Sequence, residues 1–273
     1  MKIGFVGAGK VGCSLGRYFA QKHELVGFAS KTYASAEKAA QLTGSQAFES
    51  PISLAAKCDA LFITTPDGQI VPTWEAIKDS DGNEVLNGML ICHCSGALPS
   101  SELSGCSEKG AYAYSIHPLF AIPSKSTSTE ELKKAFFAIE GDSRKLDEAI
   151  SIVEAMENPY QIIETEQKVR YHAAAAMASN HVIALYRLSC DELVKCGFSP
   201  ESAEKALAPL FLGNAQHVAS EGTIASLTGP AERGDMATIE KHLSCLSGKT
   251  REVYQILNET LLRIAEEKHR TAN

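Results

Sequence analysis

Met1-Lys-Ile-Gly-Phe-Val6 runs directly into Gly7-Ala8-Gly9-Lys10-Val11-Gly12, and this stretch decides the fold. An apolar, strand-like run is followed by G-x-G-x-x-G and then by a helical pattern, the context that gives the glycine spacing its meaning. Gly7 allows a tight turn off the strand, and Gly9 has no Cβ to obstruct a pyrophosphate. Gly12 lets the following helix pack closely on the sheet. The helix start then offers unpaired N–H groups and the positive end of its dipole to phosphates. Gly7, Ala8, Gly9, Lys10, Val11 and Gly12 are therefore expected to hold a dinucleotide.

The next strand, Glu24-Leu-Val-Gly-Phe-Ala29, narrows the cofactor. An NAD site usually carries an Asp or Glu at the end of this strand, on the ribose hydroxyls. Ser30-Lys31-Thr32 stands there instead. A carboxylate repels a 2′-phosphate, whereas a hydroxyl and an ammonium bind it. NADP is thus favoured over NAD, with Ser30 and Lys31 on the 2′-phosphate; Lys10 is either an added cation near the phosphates or equally an exposed lysine at the helix start.

Strand and helix patterns alternate through the first half. A helix is predicted over 34–44 and a short strand at Gln46-Ala-Phe48, then a short helix over 53–58. Buried strands are predicted at Ala60-Leu-Phe-Ile-Thr-Thr65, Met89-Leu-Ile-Cys-His-Cys94 and Ala111-Tyr-Ala-Tyr-Ser-Ile116, the last ending at His117-Pro118. Phe136-Phe-Ala-Ile139 and Tyr160-Gln-Ile-Ile163 extend the sheet. From Glu166 the strand rhythm stops. One long alanine-rich helix is predicted over 168–196, another from Pro200, and two more over 233–246 and 249–268. The boundary is placed near residue 164: a nucleotide-binding domain over 1–164 and an all-helical domain over 165–273.

A chain of 273 residues suits two such domains. Its 44% hydrophobic and 22% charged content is that of a globular protein. The net charge of −7 argues against nucleic acid or an anionic membrane as partner. No apolar stretch reaches about eighteen residues, and the start is a strand without signal-peptide flanks, so a cytoplasmic location is expected. Eight scattered cysteines read as reduced core thiols. Cys92-His93-Cys94 is not a metal site on this reading, because in a strand residues 92 and 94 face one way and 93 the other.

In an open α/β sheet, ligands bind beyond the carboxyl ends of the strands. Thr64, Thr65, Pro66, Asp67, Ser95, Gly96 and His117 lie at such ends. Thr65, Pro66 and Ser95 are expected to touch the cofactor, although Asp67 and Ser95 equally suit helix caps. His117, at a buried strand tip and followed by proline, has no capping task. On the long helix, Lys168, Tyr171, His172, Ser179, Asn180 and His181 form a second polar cluster, with residues 172, 176 and 180 on successive turns. A third is Leu227-Thr228-Gly229-Pro230-Ala231-Glu232-Arg233-Gly234-Asp235, where Arg233 suits a substrate carboxylate and Asp235 either pairs with it or caps a helix.

The N-terminal fingerprint, Ile116-His-Pro-Leu-Phe120, Tyr171-His-Ala-Ala-Ala-Ala-Met-Ala-Ser-Asn180 and Thr228-Gly-Pro-Ala-Glu-Arg-Gly-Asp235 together resemble one family. It is the Rossmann-like NADP oxidoreductase group with a helical C-terminal domain of unknown function. More distantly the chain is similar to pyrroline-5-carboxylate reductase, ketopantoate reductase and the 6-phosphogluconate and β-hydroxyacid dehydrogenases. The resemblance implies an α/β Rossmann-type domain followed by an all-α domain like the C-terminal one of 6-phosphogluconate dehydrogenase. It also implies that the helical domain builds a homodimer interface and completes the active site. Ketopantoate reductases and β-hydroxyacid dehydrogenases carry a catalytic Lys on the first long helix of the second domain, followed by Asn. Here His172 stands in the comparable place, with Asn180 two turns on and Ala176 where an Asn would stand. Histidine serves as an acid or base near neutral pH.

The function expected is hydride transfer between NADP(H) and a small polar, carboxylate-bearing substrate. His172 or His117 is the proton donor, Asn180 orients the substrate and Arg233 holds its anionic end. The rivals are a dinucleotide-binding sensor without turnover and a deazaflavin-linked NADP oxidoreductase.

Overall fold

A computed structural model of the chain describes residues 1–271 and divides into two units, Met1–Ala176 and a second beginning at Met177. In the first unit, eight strands form one sheet: β1 (Lys2–Val6), β2 (Glu24–Ala29), β3 (Gln46–Phe48), β4 (Ala60–Ile63), β5 (Leu90–His93), β6 (Tyr112–Leu119), β7 (Phe136–Gly141) and β8 (Tyr160–Ile162). Their order is β3-β2-β1-β4-β5-β6-β7-β8. All pairs are parallel except β6–β7. Six helices belong with them: α1 (Lys10–Phe19), α2 (Tyr33–Thr43), α3 (Pro51–Ala55), α4 (Asp67–Lys78), α5 (Thr129–Leu132) and α6 (Leu146–Glu154).

The short strands read as continuous apolar runs because helices cover both faces of a parallel sheet. Phe5, Phe62, Leu15, Phe19, Ile139 and Val153 join one core under α1, α2 and α6. Leu61, Ile63, Ile91 and Trp74 join the other, under α3 and α4. Phe5 stacks on Phe28 and Phe62 with ring centroids 5.6 and 5.2 Å apart, so three adjacent strands share one aromatic layer.

The expected end of β6 at His117-Pro118 needs correction. The strand continues to Leu119 because β7 runs antiparallel beside it, pairing His117 with Ala138 and Pro118 with Phe137. The expected single helix over 168–196 is also two: α7 (Lys168–Ala178) and α8 (Asn180–Lys195), broken where Ser179 takes φ −122° and ψ −86°. His172 and Asn180 therefore do not share one helical face. Pro200 does open a helix, with Ser199 capping α9 (Pro200–Ser226). The expected helix at 233 starts later, as α10 (Met236–Cys245), because Asp235 caps it through the Thr238 N–H, and α11 (Gly248–Thr271) follows.

In the second unit α8 and α11 pack on α9, and the Tyr186 hydroxyl donates to the Glu204 carbonyl at 2.6 Å. No described helix is long and apolar enough to cross a membrane.

Candidate active site at the carboxyl ends of the strands

The glycine loop does what its spacing predicts. Gly7 has φ +118°, and a Cβ there would lie 2.8 Å from the Thr64 carbonyl carbon. Gly12 packs against the Gly7 carbonyl and against Thr64 Oγ1, which donates to that carbonyl at 3.0 Å. Gly9 is different. A Cβ there meets only the Thr64 carbonyl oxygen, at 3.8 Å, so the loop is open on the side where a ligand approaches. Gly9 is also the N-cap of α1 and supplies no side chain to it, and no acidic residue stands in the first turn. The positive end of α1 is thus left for an anion.

Beside the loop lies a cleft of about 830 Å³, lined by Gly7, Ala8, Gly9, Ser30, Lys31, Thr65 and Pro66 among others. Its far wall comes from Ser50-Pro51-Ile52 and from one side of α4. Ser30 and Lys31 follow β2, and Thr32 caps α2 through Ser35 N–H, so no carboxylate stands at the end of β2. Thr65 Oγ1 is buried without a partner among the described residues, an orphan in the wall of the cleft. The open glycine, the uncapped helix and the orphaned hydroxyl all fit a dinucleotide.

Lys10, Val11 and Gly12 begin α1 outside the lining of the cleft. Ser95 does not line it either, and its hydroxyl is fully used: it donates to Asp67 Oδ2 at 2.9 Å and accepts from the Ala97 and Leu98 N–H groups. Its task is to build the turn after β5. Gly96, in that turn, is buried between two imidazoles: a Cβ there would lie 2.5 Å from His172 Nδ1 and 3.0 Å from His117 Nε2.

The structure therefore brings His117 and His172 together, with ring centroids 6.4 Å apart. Tyr171, His93 and Lys168 complete the cluster. Tyr171 bonds His117 Nδ1 through its hydroxyl at 2.7 Å. Burial pushes that phenol up to about 12, and burial followed by the charge of Lys168 pushes His117 down to about 3. Both groups are neutral around pH 7. His93, at the end of β5, is held on both sides, by Ser95 N–H at Nδ1 and the Pro99 carbonyl at Nε2. Burial pushes it down to about 4.

Lys168 is the residue that sequence reasoning undervalued. It is 0% exposed, and its Nζ donates to Ser115 Oγ, which in turn donates to the Ser95 carbonyl. Burial lowers it to about 8. A lysine is thus present in the site, one helical turn before His172. A lysine opening a helix ordinarily reads as solvated; the signal available was its i, i+4 spacing to His172.

Asn180, Arg233 and Asp235 fall in the second unit, the first two on its surface. Asp235 spends its carboxylate on Thr238, whose hydrogen bonds hold it below its usual range.

Two family models match the chain: a Rossmann-like domain over residues 1–118 and a domain of unknown function, DUF2520, over residues 135–261. No curated protein matches it. Among solved structures it is similar to protein TM1727 from Thermotoga maritima, with 28% identity over 98% of this chain and 99% of that one, at a TM-score of 0.79. It is also similar to BF3122 from Bacteroides fragilis, named as a candidate NADP oxidoreductase, with 21% identity, 96% and 98% coverage and a TM-score of 0.65. A Plasmodium falciparum pyrroline carboxylate reductase with NADP bound has 13% identity, 97% and 98% coverage and a TM-score of 0.58. The last two are likenesses of fold. The two models follow one another along the chain, the Rossmann-like domain first and the DUF2520 domain second.

Proposed function

We propose that this protein is an NADP(H)-dependent oxidoreductase acting on a small polar, carboxylate-bearing substrate. The observation that carries the reading is the placement of the His117–Tyr171–His172 cluster around Gly96, in the turn after β5, on the carboxyl side of the parallel strands from which the glycine loop also opens. Bound at the loop, the nicotinamide supplies or accepts a hydride; everything else is the work of the chain. Gly9 and the α1 N-terminus bind the diphosphate. Ser30 and Lys31 bind the 2′-phosphate. His117, fixed through Nδ1 by Tyr171, holds a proton at the substrate oxygen or nitrogen as charge develops there, with His172 beside it. We assign Asn180 and Arg233 to the substrate on their chemistry alone, an amide that both donates and accepts and a guanidinium matched to a carboxylate.

Calorimetric titration with NADPH and NADH tests the cofactor. The wild type is expected to prefer NADPH, and Ser30→Ala with Lys31→Ala to lose that preference by about tenfold (about 1.4 kcal/mol) with NADH unaffected. Equal binding of both by the wild type overturns the 2′-phosphate assignment. Turnover on a panel of carbonyl and imine acids, lost in His117→Ala with NADPH affinity kept, separates an enzyme from a sensor. No turnover with any substrate of the panel favours the sensor.

We also propose a homodimer through the helical unit. Ile183 on α8, Leu210 on α9 and Ile256 on α11 are 69%, 63% and 63% exposed, while α8 and α9 each bury a single residue. Large aliphatics so arranged mark an interface, and the family resemblance names a second copy as the occupant. Sedimentation velocity is expected to give a dimer, and Leu210→Glu with Ile256→Glu a monomer. A wild type that sediments as a monomer ends this proposal.

A further inference from the structure

The first unit buries one amine, Lys168, with no carboxylate in ion-pair contact among the described residues. A buried cation without a counter-ion costs free energy and persists where the fold has a use for it. Its surroundings on every side are defined. Ser115 on β6 accepts from Nζ, and Glu140 on β7, Cys94 after β5 and Asp67 at the start of α4 act on it only at longer range. Glu140 is already engaged by the Ser100 N–H, the Ser100 hydroxyl and the Thr165 hydroxyl. On α7 itself the ammonium lies 5.6 Å from the centre of the Tyr171 ring. That ring carries the hydroxyl bonded to His117 Nδ1, and His117 also faces His172 on α7 and His93 on β5.

We infer that Lys168 is a positioning residue: its buried charge, set against the Tyr171 ring, works with burial against a charge on His117 and makes the Tyr171 hydroxyl the donor to Nδ1, so that His117 presents Nε2–H at the site. Two physical effects point the same way. A nearby ammonium repels a second positive charge on the imidazole. A cation over the face of a phenol withdraws electron density from its ring and strengthens its O–H as a donor. An imidazole that accepts at Nδ1 must carry its proton on Nε2, the nitrogen nearer Gly96. Lys168 keeps its charge throughout the acid range in which a histidine titrates, so its push on His117 is present across that whole range. The site then works with a neutral N–H donor in place of an imidazolium. This purpose rests on the proposed reaction, but the electrostatic arrangement does not.

Nitrogen-15 NMR of the histidine rings in the ligand-free protein reads the inference directly. In the wild type His117 is expected as the Nε2–H tautomer, neutral down to well below pH 5. In Lys168→Met, which matches the length of the lysine stem, its titration midpoint rises by about one pH unit or more. Lys168→Arg, which restores the charge, moves it back. An unchanged midpoint in a folded Lys168→Met variant overturns the inference, as does an Nδ1–H tautomer in the wild type. The wild type alone gives a second reading should that variant not fold. His117 resonances must show an inflection in the alkaline range as Lys168, lowered by burial, loses its proton, and a flat response across that range overturns it equally. None of these readings uses a cofactor or turnover, so their failure is distinct from failure of the proposed function.

Discussion

Gly12→Ala is expected to lower the affinity for NADPH about a hundredfold (about 2.7 kcal/mol). The added methyl group sits on the Gly7 carbonyl oxygen and 2.5 Å from Thr64 Oγ1. Neither neighbour yields cheaply, since one is backbone and the other is hydrogen-bonded to that same carbonyl. Either α1 backs away from the sheet or the Gly7 turn opens, and both spoil the convergence of N–H groups on the diphosphate. Overpacking of this kind also costs about 1–3 kcal/mol of stability. Gly9→Ala makes the informative contrast. Its Cβ enters open space, so melting is expected to match the wild type while binding is lost, because the methyl group stands where the ligand must approach. Calorimetry and thermal melting on the two variants distinguish them. Undiminished NADPH binding by both places the dinucleotide elsewhere.

Glu140→Ala is expected to be among the most damaging substitutions to stability in the first unit. The carboxylate is 1% exposed and receives Ser100 N–H at 2.7 Å, Ser100 Oγ–H at 2.7 Å and Thr165 Oγ1–H at 3.0 Å. It ties β7 to the turn after β5 and to the turn that leads into α7. Alanine leaves the two Ser100 donors without an acceptor in a buried place, and the half-buried Thr165 hydroxyl without its partner. The loss is of order 3 kcal/mol, equivalent to a fall of roughly 10 °C in Tm. It also removes the anion that most favours the charged form of Lys168, so the lysine is expected to lose its proton at lower pH than in the wild type. Glu140→Gln, which keeps the shape but adds a donor where only acceptors are wanted, falls between. A melting curve unchanged in Glu140→Ala rules this account out.

Much of the nucleotide-binding half is legible in the sequence because its signals are local. The glycine spacing, the apolar run before it and the absence of an acid after β2 need no tertiary information, and each occupies its expected place at the cleft. The helical half is less legible. Ala178-Ser179-Asn180 gives only a weak sign of a break: there is no glycine or proline, and the cap-forming Ser-Asn pair follows an alanine run that favours helix. Capping decides the start of α10, and Asp235 competes there as a cap against any pairing with Arg233. Lys168 shows the deeper limit. Its burial is created by β6 and β7, whose strands lie far from it in sequence, and only their pairing places Ser115 under its ammonium. His117 was legible as unusual, but the run of β6 through it depends on an antiparallel neighbour that no local pattern specifies.

The strand order carries one more consequence, for the way the sheet is made. β2 adds to one edge of β1 and β3 to the edge of β2. β4 then takes the free edge of β1, and β5, β6, β7 and β8 each join the strand before. No strand is ever inserted between two that are already paired. A ribosome delivers the chain from β1 outward at about 5–20 residues per second, and every strand it releases finds its docking edge already waiting. Assembly can keep pace with synthesis, each new strand covering an edge that an earlier one left open.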